Sequence, residues 1–291
     1  MELQNDMIYV LNYADGEPYE SYRKTNTKTA YRYGKADKVI EFTSKDIPQS
    51  YKEEHKDIFA YKRGAGLWLW KPYIIYKALT NINDGEWLFY SDAGVTFIND
   101  INHLVRCATV HSLDIFTFEQ PLLCRQFTKK ECYIEMGLED HGENQALGLL
   151  LLRKSDKSIK FVKEWLHLCE TEKMLSPNHF NKEIEEWPDY YAHREDQSLL
   201  SLLRDKWGLP AFRDCSDYGE MPFMYSGTGK WTYNPKEYPN STYPTIILCN
   251  RKVSPWKYWL IYKIKHFLNK MGIIYTEKNV LRKRVIKKHT Y

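Results

Sequence analysis

A chain of 291 residues with 43% hydrophobic and 27% charged side chains can build one large α/β domain or two small ones, which excludes disordered and collagen-like polymers. Its net charge of +4 is unevenly spread. Residues 251–291 carry twelve Lys or Arg against one acid, Glu277, a charge of +11, whereas residues 1–250 carry 30 basic and 37 acidic side chains, a charge of −7.

The opening stretch Met1–Tyr9 carries acids and lacks a basic start followed by an apolar run, so no secretory leader is expected. Met7–Tyr13 is apolar and runs into Asp15–Gly16, which predicts a buried first strand that delivers a loop. Residues 20–35 read as a helix ending at Gly34, and Lys38–Phe42 as a second strand closed by Ile47–Pro48. Arg63–Gly64–Ala65–Gly66 predicts a flexible turn, after which Pro72 suits the first turn of a helix over 73–80. Asn83–Asp84–Gly85 is a turn, Glu86–Tyr90 a third strand and Ser91–Gly94 the loop at its C-terminal end. Asp114–Phe118 reads as a strand and Leu147–Leu152 as a buried apolar run. Ile159–Cys169 and Gln197–Leu203 are helical, the second capped at Asp196. Strands alternating with helices give an α/β fold, with one boundary near residue 250.

The six cysteines, Cys107, Cys124, Cys132, Cys169, Cys215 and Cys249, show neither C-x-x-C nor zinc-type spacing and read as reduced thiols. The 23 Tyr and 9 Trp suit sugar rings and bases as well as core packing. In open α/β sheets, ligands bind beyond the C-terminal ends of strands, which singles out Tyr13–Asp15 and Ser91–Gly94. Asp92 leads, because a carboxylate followed by small residues admits a diphosphate and can serve a hard cation. The same Asp-Ala-Gly sequence also closes ordinary turns.

Between Arg63 and Lys71, glycines permit close approach to phosphates, the two cations neutralise them, and Trp68 and Trp70 offer stacking faces. Equally, both Trp side chains can pack beneath the sheet and leave Lys71 solvated. In the polar cluster His193–Gln197, Glu195 and Asp196 are candidates for general base or electrostatic catalyst and Gln197 for orienting a sugar. Acids there also suit the first turn of a helix. Gly227–Lys230 lacks the phosphate-loop spacing and reads as a loop. H-E-x-x-H, G-x-S-x-G and G-x-G-x-x-G are absent, so protease, hydrolase and Rossmann dehydrogenase readings have little support.

Five ordered segments carry a family resemblance: KTAYRYGKADKVIEF at 28–42, RGAGLWLWKPYII at 63–75, DGEWLFYSDAGVTFI at 84–98, RQFTKKECYIEMG at 125–137 and HREDQSLLSLL at 193–203. Through them the chain resembles bacterial glycosyltransferases of capsule, exopolysaccharide and lipopolysaccharide O-antigen synthesis. The resemblance covers most of residues 7–250. It implies a GT-A-like, Rossmann-like domain over 1–250, with hexosyltransferase-type activity on a nucleotide-sugar donor and a glycan or lipid-linked acceptor. It also implies a D-x-D-type motif that holds Mn²⁺ or Mg²⁺ against the donor diphosphate. Asp92 matches the first acid, and Gly94 stands where the second belongs. The family's HRHDQS reads with Glu195 here, and a His expected before Arg-Lys is Asn250, a weaker oxygen ligand. The expected donor site is Tyr13 and Asp15 for base and ribose, Arg63 and Lys71 for phosphates, with Trp68, Trp70, Asp92, Gly94 and His193. Asp196, Gln197 and Glu195 are the expected catalytic set, and Asp92 with Asn250 the expected metal ligands. Gly94 and Asn250 also feed the alternative of a non-catalytic sugar- or nucleotide-binding protein of the same fold.

The tail 251–291 reads differently. From Pro255 to Met271 a helix is predicted, with Trp256, Leu260, Ile264, Phe267, Leu268 and Met271 on one face and Lys263, Lys265, His266, Asn269 and Lys270 on the other. Arg282–Lys283–Arg284 and Lys287–Lys288–His289 add a cationic patch. Segregated Trp and Lys mark an interfacial helix at an anionic membrane surface, through 255–288, and imply a cytoplasmic, peripheral protein on the inner face of the plasma membrane. A helix packed on the body is the alternative. A nucleic-acid role is not expected, because the −7 body offers no basic groove.

Overall fold

The computed structural model describes residues 6–226, 230–250 and 253–273. Met1–Asn5, Gly227–Gly229, Arg251, Lys252 and both cationic clusters at 282–289 lie outside them.

Two parallel crossovers open the chain. β1 (Ile8–Tyr13) is joined by the helix Tyr19–Arg32 to β2 (Lys38–Phe42), in parallel register from Tyr9 opposite Lys38 to Tyr13 opposite Phe42. The helix Trp70–Asn81 then leads to β3 (Trp87–Tyr90), which lies parallel to β1 on its other side. Parallel neighbours need such long crossovers, and helices supply them. Pro72 sits in the first turn of the second helix, as expected of a residue with no N–H to donate.

β4 (Thr96–Phe97) follows, then the helix Asn102–Val110, β5 (Ile115–Leu123) and β6 (Asn144–Arg153). β6 runs antiparallel to both β3 and β5. The helices Asp156–Cys169 and Glu195–Lys206 precede β7 (Phe212–Arg213), which is parallel to β5. The sheet order is β2-β1-β3-β6-β5-β7, and β8 (Ile247–Leu248) pairs with β4 in a second, two-stranded sheet. The α/β expectation is met by this sheet: a Rossmann-like parallel half, continued through one antiparallel strand.

Alternation along the strands fills two cores. Leu11, Leu88, Tyr90, Leu150 and Leu152 face the helices Trp70–Asn81, Asp156–Cys169 and Glu195–Lys206. Val10, Phe89, Phe116, Phe118 and Leu151 face the helix Asn102–Val110. Burial on both faces is why β3 and β6 read as continuous apolar runs.

Two expectations are corrected. β5 runs to Leu123, through Pro121, because its register with β6 shifts between Thr117 and Glu119 and again before Leu123; proline is tolerated at such irregularities. Asp196 is not the helix cap. Arg194 holds that position, its N–H donates to Ser198 Oγ at 2.8 Å, and the Asp196 carboxylate is drawn sideways to Lys71.

The C-terminal helix Pro255–Lys270 lies against the short helix Asp217–Glu220. Residues four apart share a face. Tyr258 donates to Asp217 Oδ2 and Tyr262 to Glu220 Oε2, both at 2.7 Å, and His266 pairs with Glu220. The expected apolar face points away, with Trp256 65% and Phe267 62% exposed. His266 therefore belongs to the side facing the body, since Glu220 claims its ring. Among the described residues no helix is long and apolar enough to cross a membrane.

Candidate active site

A cleft of about 610 Å³ opens beyond the C-terminal end of β3. Tyr90 of β3 sits opposite Leu150 of β6, so the first half of β6, Leu147 to Leu149, forms the floor where β3 has ended. This is the crevice at which open α/β sheets bind ligands.

Asp92 lines the cleft, and its Oδ1 accepts from the Tyr90 hydroxyl at 3.1 Å. A buried amide relay fixes its loop. Asn12 Nδ2 donates to Asn26 Oδ1 at 2.9 Å, and Asn26 Nδ2 reaches Ser91 Oγ at 3.1 Å, Val95 O at 3.2 Å and Asp92 O at 3.3 Å. β1 and its following helix thereby hold the β3 loop. Gly94 lies within this loop, which Val95 N closes onto Asp92 O at 3.2 Å, and adds no side chain to the cleft.

Three cations converge on the cleft: Arg63, Lys71 and Arg194. Lys71 Nζ is 2.9 Å from Asp196 Oδ2, and both residues are buried. The reading of Lys71 as solvated is thus overturned, because Asp196 holds it inside. Burial pushes the Asp196 carboxyl up, Lys71 pulls it back, and Asp92 adds repulsion. Arg63 Nε lies 2.5 Å from Glu195 Oε1, with the Arg side chain 60% exposed and the Glu 3%. Burial likewise raises the Glu195 carboxyl against the opposing pull of Arg63. Arg194 lies over the Phe127 ring at 4.0 Å and donates to Gln145 Oε1 at 3.1 Å.

Strain gathers at the same place. Ala65, Leu67, Trp68 and Glu195 have φ of 50°, 53°, 61° and 41°, in the left-handed region that side chains resist. Each such residue costs roughly 1–3 kcal/mol, and such residues cluster at functional sites. Gly64 makes the coil possible: a Cβ there would lie 2.3 Å from the Trp68 ring. Gly148 keeps the floor open, since its Cβ would meet Lys71 Nζ at 3.2 Å.

The expected residues divide. Arg63, Trp68, Lys71, Asp92, Glu195, Asp196 and Gln197 all line the cleft. Gln197 is tied through Nε2 to Ala146 O at 2.7 Å. Trp70 does not line it: it stacks on Tyr13 at 3.9 Å and donates to Gly64 O at 2.9 Å, so it supports the coil from below. Tyr13 is taken up by that stack, and Asp15 is exposed in the loop after β1. His193 is buried away from the cleft. Burial, with Lys129 nearby, pushes its imidazole down to about 3, and Lys129 N donates to Nδ1 at 3.4 Å. A neutral, buried ring has no charge to offer a phosphate.

Sequence reasoning missed Arg194, Gln120, Gly148 and the opposite wall, made by Asp214, Tyr218, Tyr225 and Tyr258. Arg194 stood inside the polar cluster and could have been chosen. The wall had no local signal. Asp214 is engaged by Ser216 N at 2.7 Å, Ser216 Oγ at 2.9 Å and Tyr225 OH at 2.8 Å.

Among the described residues no three His, Cys, Asp or Glu side chains converge as a metal site. Asn250 is no ligand facing the cleft: its Oδ1 accepts from Thr96 at 2.8 Å and its Nδ2 donates to Val253 O at 3.3 Å. It braces the β4–β8 corner. Asp92 is the expected ligand that does face the cleft, and it fits a cation whose remaining ligands are phosphate oxygens and waters.

No family profile matches the chain, and no curated protein matches it. Solved structures resemble it. Mouse xyloside xylosyltransferase 1 in its apo form is 11% identical over 84% of this chain and 98% of that chain, with a TM-score of 0.46. Galactosyltransferase LgtC, in complex with donor and acceptor sugar analogues, is 14% identical over 88% and 95%, with a TM-score of 0.43. The apo glycosyltransferase GlyE of Streptococcus pneumoniae TIGR4 is 15% identical over 91% and 64%, with a TM-score of 0.39.

Proposed function

We propose that the protein is a glycosyltransferase that moves a sugar from a nucleotide-sugar donor to a glycan or lipid-linked acceptor in bacterial surface polysaccharide synthesis. The carrying observation is the convergence of Arg63, Lys71 and Arg194 with Asp92 on a cleft beyond the C-terminal end of β3. When the anomeric C–O bond breaks, its electron pair leaves with the diphosphate. Fixed cations at that point stabilise the departing charge without reorganising. Asp196 and Glu195 hold Lys71 and Arg63 in place, a positioning role that their ion pairs support. Gln197 and the open floor at Gly148 are assigned to the sugar. The loop carrying Asp15 leaves β1, the neighbour of β3, on the same edge and is assigned to base and ribose. A Mn²⁺ or Mg²⁺ on Asp92 would supply further neutralisation of the same diphosphate.

The C-terminal helix supports a place at the cytoplasmic face of an anionic membrane. It carries Lys257, Lys263, Lys265 and Lys270, no acid, and an outward Trp and Phe.

The test is a panel of sugar nucleotides with Mn²⁺, with and without chelator, read as nucleoside diphosphate release and transfer to glycan or lipid-linked acceptors. Turnover by the wild type that is lost in Asp92→Asn is the expected result. Donor binding without turnover under every condition favours the non-catalytic alternative.

A further inference from the structure

A second groove, of about 500 Å³, lies between the C-terminal helix and the body, and the proposed transfer makes no use of it. Arg213 comes from β7, Thr245 and Asn99 from the corner beside the β4–β8 pair, and Trp259, Lys263 and His266 from the helix. Cations from two independent elements face one polar groove. The acid within it is already engaged: Glu220 accepts from Tyr262 at 2.7 Å and from Thr245 at 2.8 Å, and it pairs with His266. Burial pushes the Glu220 carboxyl up, yet these bonds outweigh it and hold the group below its ordinary value. Arg213 and Lys263 therefore leave the groove net positive.

Position narrows the ligand. The groove lies along the middle of a helix whose outward face exposes Trp256, Trp259, Leu260, Ile264 and Phe267. Trp259 belongs to both the exposed face and the groove. A ligand there meets cations and hydrogen-bond donors on one side and an apolar helix face on the other. An anion with a hydrocarbon tail has that shape. The groove lies one helical turn from the cleft, because Tyr258 lines the cleft and Tyr262 lines the groove.

We propose that this groove binds the phosphate of a lipid, with Lys263 and Arg213 as its cationic contacts. The proposal deepens the membrane reading and rests on the helix lying at a lipid surface. One chemistry can come from two sources, a bilayer phospholipid or the phosphate of a lipid-linked acceptor whose sugar reaches the cleft. A phosphate monoester offers these two cations three acceptor oxygens where a carboxylate offers two.

The experiment measures sedimentation of the full chain with phosphatidylcholine vesicles doped with phosphatidic acid, polyprenyl phosphate or oleate, matched in zeta potential. Phosphate-bearing vesicles are expected to bind about fivefold more tightly than oleate vesicles, a difference of about 1 kcal/mol. Lys263→Gln is expected to erase that difference. Lys257→Gln, on an exposed residue outside the groove, is expected to weaken all charged vesicles equally. Preference for polyprenyl phosphate assigns the acceptor as the source, and preference for phosphatidic acid assigns the bilayer. Equal binding to phosphate and oleate vesicles, or identical losses in Lys263→Gln and Lys257→Gln, would overturn the proposal. Loss of binding to every vesicle in the wild type would instead remove the membrane reading itself. Unchanged donor turnover by Lys263→Gln in detergent-free solution keeps either failure separate from that of the transferase reading.

Discussion

The two walls of the cleft are built on different principles. One is ionic and strained: Lys71–Asp196 is a buried charge pair and Arg63–Glu195 joins an exposed cation to a buried acid, beside a coil of left-handed residues. The other is hydroxylated and aromatic: Tyr225 donates to Asp214, Tyr258 donates to Asp217, and Tyr218 packs edge-on to Tyr225 at 5.1 Å. Burial and the neighbouring carboxylates hold the Tyr225 and Tyr258 phenols up, so they remain donors. A wall of fixed charge suits a diphosphate. A wall of Tyr side chains suits a neutral, hydroxyl-rich partner. We propose on this ground that donor and acceptor take opposite sides.

The largest expected break lies on the ionic side. Lys71→Met leaves Asp196 buried without its cation and is expected to cost about 3–5 kcal/mol in urea unfolding. Its pH dependence has a defined sign. Asp196 already has a raised carboxyl, and losing Lys71 raises it further. A raised folded value means stability that is present below the unfolded carboxylate value, about 3.9, and lost as pH rises through the folded one. The deficit should therefore deepen as pH rises above about 4 and level off only above the raised folded value. Adding Asp196→Leu should recover much of the loss; if the double variant is no more stable than Lys71→Met, the pair does not act as a unit.

Asp92→Asn sharpens the comparison differently. Its loop is held mainly by Asn26 and backbone bonds, so the melting temperature should barely move while donor turnover falls about a hundredfold or more. Gly64→Ala pushes a Cβ into the Trp68 ring and forces the coil to shift. A loss of about 1–3 kcal/mol is expected, with a raised KM for donor, since Arg63 moves with the coil. The smallest effect is on the aromatic side. Tyr258→Phe removes one bond to Asp217, which keeps its bond from Cys249 N at 2.9 Å, so about 1 kcal/mol is expected. Its KM for acceptor should rise and that for donor should not; the reverse would exchange the two walls.

The ionic wall was largely legible in the sequence, because its residues lie in short local clusters at strand and helix ends. β2 was read to the residue, since a five-residue run of β-formers is bounded on both sides by turn and break signals. Trp68 and Trp70 could not be told apart. They are two residues apart and equally apolar, and the left-handed backbone at Trp68 that turns one to the cleft and the other to Tyr13 has no sequence signature for tryptophan. Lys71 was undecided for a related reason: its partner lies 125 positions later. The aromatic wall was illegible, because it is assembled from residues 214 to 258 that share no period or motif.

The pairing of Thr96 with Leu248 and Phe97 with Ile247 has a consequence for the order in which the protein comes into being. Chains emerge from the ribosome N-terminus first, and contacts across such long separations form late. Lys71, Asp92 and the β1–β3 edge are synthesised well before β8 arrives. The phosphate-facing wall waits for Glu195 and Asp196 to join Arg63 and Lys71, and the hydroxyl-facing wall for the residues from Asp214 onward. Synthesis itself delays the moment at which a growing polypeptide can close the cleft.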